Sequence, residues 1–406
     1  MTEPAQRRSA RLVVILGALS AFGPLSNDMY LPAFPSISAN LHASASSVQL
    51  TLAACMVGLA LGQLIAGPFS DSLGRRGPLL VGLAVFTVFS AVCALAPSVY
   101  LLTVFRFVQA LGGAAGLVIA NAAVRDRYAG STMSRFLSLL MLINGTAPIL
   151  APIIGGQILR FTSWRGVFWT LTAIGFVLLL VSAFWLAESL PVQRRRPAHL
   201  SATLRAYREL LADRIFVGYA LSGGMAFAAM FAYISGSSFV LQNVFSLSPQ
   251  GFSLVFATNG LGIVLAGQIN GRLVRRFSSR RLLFAGLCIS ATGGLLLLAG
   301  VLAGAGLPVV LPALFLVVSS IGLVAPNSLT MALASYADRA GTASSLVGVL
   351  QYIFGGLMAP VVGLGGVHTA LPMALVIAVL PLGGLLIFRT MTSAKAREAQ
   401  PTTLVR

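Results

Sequence analysis

Apolar residues along the chain fall into runs of nearly constant length. Each run holds about 20 residues, the number that a helix needs to cross a bilayer. Short polar breaks separate the runs, and the longest break lies at 187–214. The runs predict transmembrane helices at 12–33, 47–69, 77–96, 99–122, 133–156, 164–186, 215–236, 250–271, 281–303, 307–331, 342–364 and 370–390. We therefore expect twelve membrane spans.

Composition excludes an ordinary water-soluble protein. Of the 406 residues, 57% are hydrophobic and 9% are charged, against roughly 45–50% and 25% in soluble domains. The three cysteines lie singly inside apolar runs, so a disulfide framework is not expected. The first apolar run follows a basic start but extends too far for a cleaved signal peptide, and we interpret it as an uncleaved span.

The formal net charge of +18 would suit a nucleic-acid partner, but the placement of the charges indicates a membrane topology instead. If the N-terminus is cytoplasmic, all of the 27 Lys and Arg residues lie in cytoplasmic segments except Arg106, Arg160 and Arg165. This is the positive-inside distribution. We expect a multi-pass protein of a bacterial cytoplasmic (inner) membrane with both termini cytoplasmic, membrane lipid as a partner and no nucleic acid.

A short repeat divides the chain at the long polar break. Residues 67–76 read GPFSDSLGRR and residues 267–276 read GQINGRLVRR, each in the turn after the second span of its half. Parallel six-helix repeats are one way in which transporters are built. We expect an N-terminal bundle at 1–186, a cytoplasmic linker at 187–214 and a C-terminal bundle with a short tail at 215–406.

Two charged residues lie inside predicted spans. Asp28 is the one acid well inside a span, about 24 Å from the cytoplasmic end of its helix, and Arg106 lies at a similar depth. Charges at such depths are costly and are functional candidates by default. We expect Asp28 to bind and release a proton and Arg106 to pair with it. The alternatives are an acid at a wet helix end and an arginine bonded to backbone carbonyls.

Four stretches carry a resemblance to a known family. They read SNDMYLPAFPSI at 26–37, GPFSDSLGRRGPLL at 67–80, RFVQALGGAAG at 106–116 and NGTAPILAPIIGG at 144–156. The chain resembles the major facilitator superfamily, and within it the twelve-helix drug:proton antiporters of the Bcr/CflA kind. The resemblance implies an all-α integral membrane protein with twelve helices in two pseudo-symmetric six-helix bundles.

The resemblance also implies an activity. Such proteins export small amphipathic or apolar compounds by alternating access, as in multidrug efflux and antibiotic resistance, with the proton as coupling ion and no other cofactor or metal. We expect a monomer. The alternative on the same fold is an importer, a facilitator or an exporter of an endogenous small metabolite, and the direction of flux distinguishes these.

Three sets of residues follow from the resemblance, besides Asp28 and Arg106 for proton coupling. A cytoplasmic gate is implied at Gly67, Asp71, Arg75, Arg76 and Asp126, with Arg75 pairing with Asp126. An antiporter helix is implied at Asn144, Gly145, Pro148, Pro152, Gly155 and Gly156, where proline bends the helix and glycine admits a close neighbour. The substrate-cavity candidates are Tyr30, Gln109, Tyr219, Met225, Phe227, Phe231, Tyr233, Asn259, Asn327, Gln351 and Tyr352.

No enzyme site is expected. The sequence contains no dinucleotide fingerprint, phosphate-binding loop or zinc-protease motif, and its three histidines fall in separate loops. An ATP-driven pump would need a nucleotide-binding domain, and a membrane protease would need clustered histidines or acids within spans. The sequence therefore favours a transporter that is not an enzyme.

Overall fold

A computed structural model describes residues 3–128, 130–195, 200–336 and 339–393. Within these ranges the chain is helical and contains no strand. The helices are α1 Glu3–Asp28, α2 Phe34–Asn40, α3 Ala45–Leu73, α4 Arg76–Ala94, α5 Val99–Arg127, α6 Gly130–Phe161, α7 Trp164–Trp185, α8 Leu200–Ala212, α9 Arg214–Phe239, α10 Pro249–Leu273, α11 Ser279–Leu302, α12 Leu307–Leu333, α13 Ala340–Val362 and α14 Leu371–Met391. The tail beyond residue 393 and residues 196–199 of the predicted linker lie outside this description.

The long helices confirm the predicted membrane fold. Eleven helices in the described part of the chain are long and apolar enough to cross a membrane. Helix α1, with 26 residues, covers most of the first predicted span. The short helices α2 and α8 have 7 and 13 residues, too few to cross. The chain is therefore an all-α integral membrane protein.

Polar side chains mark the starts of several of these helices. The Ser44 hydroxyl accepts a hydrogen bond from the Ser47 N–H at 3.2 Å and caps α3. Ser98 caps α5 and Ser278 caps α11 in the same way. The Asp213 carboxylate accepts from the Ile215 N–H at 2.8 Å and caps α9. These caps satisfy N–H groups that have no partner inside the helix.

The first span differs from the continuous helix predicted at 12–33. Helix α1 ends at Asp28, a 3₁₀ turn follows at Leu31–Ala33, and α2 then begins at Phe34. The cause is Pro32, which has no N–H to donate to the carbonyl of Asp28 four residues earlier. Asp28 is therefore the last residue of α1, at a break between two helices.

The chain divides into two compact units. The first unit comprises Met1–His199 with Leu241–Ala257, and the second comprises Leu200–Val240 with Thr258–Arg406. The segment Leu241–Ala257 lies within the predicted second bundle, at 215–406, but it packs with the first unit.

The first unit is held together by close helix packing, in which α3 and α4 pack on α5, α7 packs on α4, and α1 packs on α5 and α6. The approach of α3 to α5 depends on a small residue. A Cβ added at Gly58 would lie 2.4 Å from the Phe107 carbonyl oxygen. In membranes such packing replaces the hydrophobic driving force between helices.

The second unit is built in a similar way. Helix α9 packs against α12, α13 and α14, and α11 packs against α12 and α14. Helix α8, from the predicted linker, contacts α9 and α13. Its Tyr207 and Leu210 are buried, and the Tyr207 hydroxyl is 2.5 Å from that of Ser345. The linker helix is thus attached to the second unit.

Candidate functional site

Asp28 lies where α1 breaks, inside the first unit. It is 5% exposed, and its Oδ1 accepts a hydrogen bond from Asn27 Nδ2 at 3.2 Å. The last carbonyls of a helix carry the negative end of its dipole, so a negative charge here is not stabilised by the helix. A carboxyl group in this position is suited to exchange a proton rather than to remain charged.

Arg106, on α5, is completely buried in the same unit. Its Nη1 donates to Ser26 Oγ at 2.9 Å and to Gln109 Oε1 at 2.5 Å, and its Nη2 donates to the Ser26 carbonyl oxygen at 3.0 Å. The guanidinium also lies over the Tyr30 ring, 4.3 Å from its centroid. These contacts attach the arginine to the last turn of α1, two residues before Asp28.

The ion pair predicted between Arg106 and Asp28 is wrong for this structure. No hydrogen bond or ion pair joins the two side chains in the described part of the chain. Ser26 offers the guanidinium a hydroxyl and a carbonyl oxygen, and Gln109 offers an amide oxygen, so both Nη atoms are bonded without a carboxylate. The buried Nε has no hydrogen-bond partner among the described residues. The alternative, an arginine bonded to a backbone carbonyl, describes part of this arrangement.

Three residues that the sequence analysis did not single out complete the surroundings of Arg106. Ser26 is its main acceptor, Ser90 on α4 accepts a hydrogen bond of 2.6 Å from Gln109 Nε2, and the Phe168 ring lies 5.7 Å from the guanidinium carbon. Serine and threonine are common in spans, where their hydroxyls can bond to the backbone of their own helix. The sequence therefore does not distinguish a serine that bonds to a neighbouring helix.

The antiporter helix, α6, contacts the break in α1 through a glycine. Met29 is the residue after Asp28, and a Cβ added at Gly155 would lie 1.8 Å from the Met29 carbonyl oxygen. No side chain fits at that distance, so only glycine allows α6 to approach the break. Gly145, on the same helix, has nothing within 4 Å of an added Cβ. The two glycines of the predicted set therefore differ in their surroundings.

The same end of α6 also binds the part of α10 that belongs to the first unit. Ser253 Oγ donates to the Pro152 carbonyl at 2.7 Å, and Gln250 Nε2 donates to the Gly156 carbonyl at 2.8 Å. Pro148 and Pro152 both lie inside α6, while the Asn144 side chain donates to the Leu140 carbonyl of its own helix at 2.9 Å.

The gate residues form a compact ionic cluster, as the sequence predicts for Arg75 and Asp126. Arg75 Nε lies 2.9 Å from Asp126 Oδ2, and its Nη1 lies 2.5 Å from Asp71 Oδ1. Nη1 also donates to Ser70 Oγ at 2.7 Å. Burial alone would lower the pKa of Arg75, but its hydrogen bonds to Asp126 and Asp71 raise that pKa above its ordinary value. The cluster joins the ends of α3 and α5.

The remaining gate residues play smaller parts. Arg76 is exposed and donates to the Ala183 carbonyl of α7 at 2.6 Å. Gly67 accepts a hydrogen bond from Ser70 Oγ through its carbonyl, at 2.9 Å. Gly74 has φ +96, a conformation that favours glycine, and forms the turn between α3 and α4.

Glu188, just after α7, lies beside the predicted gate and was not singled out in the sequence analysis. Its carboxylate accepts from the N–H groups of Arg75 at 2.8 Å and Arg76 at 3.2 Å, and also from those of Ser189 and Leu190. Partial burial raises its pKa, but these four backbone donors outweigh that effect and hold the pKa below its ordinary value. Glu188 therefore stabilises the start of α4 as a capping carboxylate.

Substrate-cavity candidates occur in both units. In the second unit the Phe227 ring lies 4.9 Å from Phe231 and 6.4 Å from Tyr352, and Phe227 and Tyr352 are half-buried. Met225 and Gln351 are also half-buried, whereas Tyr219 is buried. These residues place an aromatic cluster on α9 and α13.

Other candidates are engaged with polar partners. Asn259 Nδ2 donates to the Tyr233 hydroxyl at 2.9 Å, and Asn327 Nδ2 donates to Asn270 Oδ1 at 2.6 Å. In the first unit, Tyr30 and Gln109 contact Arg106. Buried polar groups with satisfied hydrogen bonds hold helices in position, and this explains these residues without a ligand.

Comparisons with known proteins agree with the fold. A family model described as Major Facilitator Superfamily matches residues 16–360. A Bacillus subtilis (strain 168) protein described as the uncharacterized MFS-type transporter YdgK is 40% identical over 397 residues, 97% of this chain and 98% of that one. A Haemophilus influenzae protein described as a bicyclomycin resistance protein homolog is 30% identical over 97% of this chain and 99% of its own length.

Two further similarities cover most of the chain. A Salmonella heidelberg protein described as multidrug resistance protein MdtL is 30% identical over 84% of this chain and 85% of its own length. The crystal structure of a bacterial homolog of the human lysosomal transporter Spinster matches with a TM-score of 0.73 at 16% identity, over 96% of this chain and 95% of that one. At that identity the match supports the fold alone.

The contact between Gly155 and Met29 generates the first testable prediction. We expect Gly155→Ala to displace α6 from the break in α1, because the added methyl group would overlap the Met29 carbonyl oxygen. Overpacking of this kind costs about 1–3 kcal/mol. Thermal unfolding of the purified protein in detergent measures the loss. Gly145→Ala is the matched control and should leave stability unchanged, and an equal loss in both variants would contradict the assignment.

The second prediction concerns Glu188. Glu188→Gln removes the charge that caps α4 and should cost about 1 kcal/mol of stability at neutral pH. Because the pKa of Glu188 is lowered, the difference from wild type should be complete above the ordinary carboxyl value of 4.5 and should vanish as the pH falls through the lowered pKa. Unfolding in detergent at several pH values tests this. The exposed Glu209→Gln is the control, and a difference that persists at low pH would contradict the capping role.

Proposed function

Because the chain belongs to the major facilitator superfamily of membrane transporters, we propose that it is a proton-coupled antiporter that exports small amphipathic or apolar compounds. In this proposal the protein lies in the bacterial cytoplasmic membrane with both termini cytoplasmic. Compounds leave the cytoplasm by alternating access, and protons move inward.

The observation that carries the proposal is the buried carboxyl group of Asp28 at the break in α1. Burial in the membrane domain makes the charged form of a carboxyl group costly, so its charge state depends on which side of the membrane it faces. It binds a proton when it faces the outer side and loses it when it faces the cytoplasm. This is the property that proton coupling requires.

Arg106 supplies a fixed positive charge near this group. Its guanidinium is bonded to Ser26, two residues from Asp28, so its position changes whenever the end of α1 moves. We infer that Arg106 responds to the charge state of Asp28 through this shared turn rather than through a direct ion pair. Tyr30, stacked against the guanidinium, places an aromatic ring at the same location.

The gate cluster contributes to conformational control in this proposal. Ion pairs of Arg75 with Asp71 and Asp126 stabilise one arrangement of the cytoplasmic helix ends. A carrier needs such a stabilising contact to be broken and reformed in each cycle, because only contacts that differ between two states shift their populations. Glu188 keeps the start of α4 in place while that occurs.

The substrate class follows from the aromatic cluster and from the relatives. Phe227 and Tyr352 are half-buried beside the buried Phe231 and offer an apolar surface with few directional contacts, which suits varied amphipathic compounds. Two relatives bear names that refer to resistance against bicyclomycin and against multiple drugs. We propose drug efflux on this basis, with bicyclomycin as the first compound to test.

An importer, a facilitator or an exporter of an endogenous metabolite is the second candidate. The relative with 40% identity is described only as an uncharacterized transporter, so its name does not favour drugs. The direction of flux and the need for a proton gradient separate the candidates.

The third prediction tests proton coupling. Bacteria expressing the protein should show at least a fourfold higher inhibitory concentration for some compound in a panel that includes bicyclomycin. Uptake of that compound into inverted membrane vesicles under an imposed pH gradient then measures export. Asp28→Asn should lower the initial rate at least tenfold, since it mimics a permanently protonated group, while binding by the purified protein stays within twofold of wild type.

Two controls accompany this assay. Asp28→Glu keeps a titratable carboxyl group and should retain part of the gradient-driven rate, and Glu209→Gln removes an exposed acid and should retain all of it. Full gradient-driven transport by Asp28→Asn would exclude coupling through this residue and would favour a facilitator.

A further inference from the structure

The turn between α10 and α11 in the second unit is strongly basic. We define the basic turn as Arg272–Arg281, a segment with five arginines and no acid. Four of its arginines have exposed side chains and form no ion pair in the described part of the chain, namely Arg272, Arg275, Arg276 and Arg281. An uncompensated cluster of positive charge is a surface that attracts an anionic partner.

The equivalent turn of the first unit has acidic partners that the basic turn lacks among the described residues. There Arg75 is nearly buried between Asp71 and Asp126, and Arg76 donates to a backbone carbonyl. In the second copy of the repeat, Gly271 occupies the position that corresponds to Asp71. The matching arginines, Arg275 and Arg276, are retained without the acid. Among the described residues they have no acidic partner, so they can bind an anion from outside the protein.

The backbone holds these arginines in a defined turn. The N–H of Arg276 donates to the Leu273 carbonyl at 2.9 Å, as does the N–H of Phe277, and Ser278 Oγ accepts from the Arg281 N–H at 3.4 Å. Arg280 is used differently, since its guanidinium donates to the Thr392 carbonyl and lies 5.1 Å from the Phe388 ring centroid. One arginine of the basic turn thus fixes the turn to its own unit, and the other four project from it.

Apolar side chains accompany the charges. Val274 is 44% exposed and Phe277 is 46% exposed, and both lie in the turn between two membrane-length helices. A turn at this position is at the level of lipid headgroups. The combination of arginine with exposed valine and phenylalanine matches an amphiphile with an anionic head and an apolar tail, and it does not match a free anion.

We propose that the basic turn binds the headgroups of anionic phospholipids in the cytoplasmic leaflet. Arg275 and Arg276 donate to the lipid phosphate, which guanidinium groups bind with paired hydrogen bonds. Arg272 and Arg281 add charge on either side, while Val274 and Phe277 contact the upper part of the acyl chains. The lipid phosphate thereby takes the place of the carboxylate that the second repeat lacks.

The experiment compares lipid binding by two double variants of the purified full-length protein. Arg275→Gln/Arg276→Gln removes two charges from the basic turn. Arg205→Gln/Arg208→Gln is the matched control, because it removes two exposed charges from α8 in the same unit. Dioleoylphosphatidylglycerol and dioleoylphosphatidylcholine are titrated into the protein in detergent, and bound lipid is counted by native mass spectrometry. Size-exclusion profiles confirm that each variant is folded.

We expect wild type to bind phosphatidylglycerol at least tenfold more tightly than phosphatidylcholine. Each arginine near an anionic headgroup contributes about fivefold in affinity, so the basic-turn variant should lose about 25-fold and the α8 control less than twofold. A tenfold excess of inorganic phosphate over lipid should not displace the lipid.

Three results would overturn the proposal: equal affinity of wild type for the two lipids, equal losses in the two double variants, or displacement by inorganic phosphate. The first would remove the preference for an anionic lipid, the second would indicate general charge attraction, and the third would indicate a free-anion site. None of these measurements involves transport, so a result that overturns the lipid proposal would leave the proposed export function unaffected.

Discussion

The cost of placing polar groups in a bilayer determines most of this structure. Hydrocarbon offers no hydrogen bonds, so backbone and charged groups must find partners inside the protein. Both Nη atoms of Arg106 find such partners in Ser26 and Gln109, and Gln109 in turn donates to Ser90. One buried guanidinium thereby fixes the relative positions of α1, α4 and α5. The position of Asp28 depends on this network, because Ser26 and Asp28 share the last turn of α1.

The break in α1 depends on the same constraint. Pro32 removes a backbone donor and ends the helix at Asp28, and a non-helical backbone at membrane depth is tolerated where protein covers it. Helix α6 provides the cover, since Gly155 lets it approach the Met29 carbonyl oxygen. Gly155 therefore has a structural role at the proposed coupling site, whatever its relation to the direction of transport.

The two halves of the chain use a shared sequence motif in different ways. Both turns keep a pair of arginines, but in the described part of the chain only the first pairs with acids, Arg75 with Asp71 and Asp126. The first copy is therefore an internal ionic contact that can be made and broken. The second copy exposes its charge, and in our proposal the membrane neutralises it.

The sequence predicted the spans from the length of the apolar runs, and it predicted the pair formed by Arg75 and Asp126 because both residues lie at the same ends of their spans. It did not predict the end of α1 at Asp28, although Pro32 is visible in the sequence, because prolines also occur inside α6 without ending it. Nor did it identify Ser26 or Glu188. Serine is common in spans, and a single acid after a span has no pattern that reveals the N–H groups it caps.

Release of protons on substrate binding tests the central claim, the coupling role of Asp28, most directly. A compound to which the protein confers resistance, bicyclomycin first, is added to purified protein in a weakly buffered detergent solution, and the change in pH is recorded. We predict that wild type releases protons on binding and that Asp28→Asn binds the compound without releasing any. Equal proton release by both proteins, or binding by wild type without release, would contradict the account.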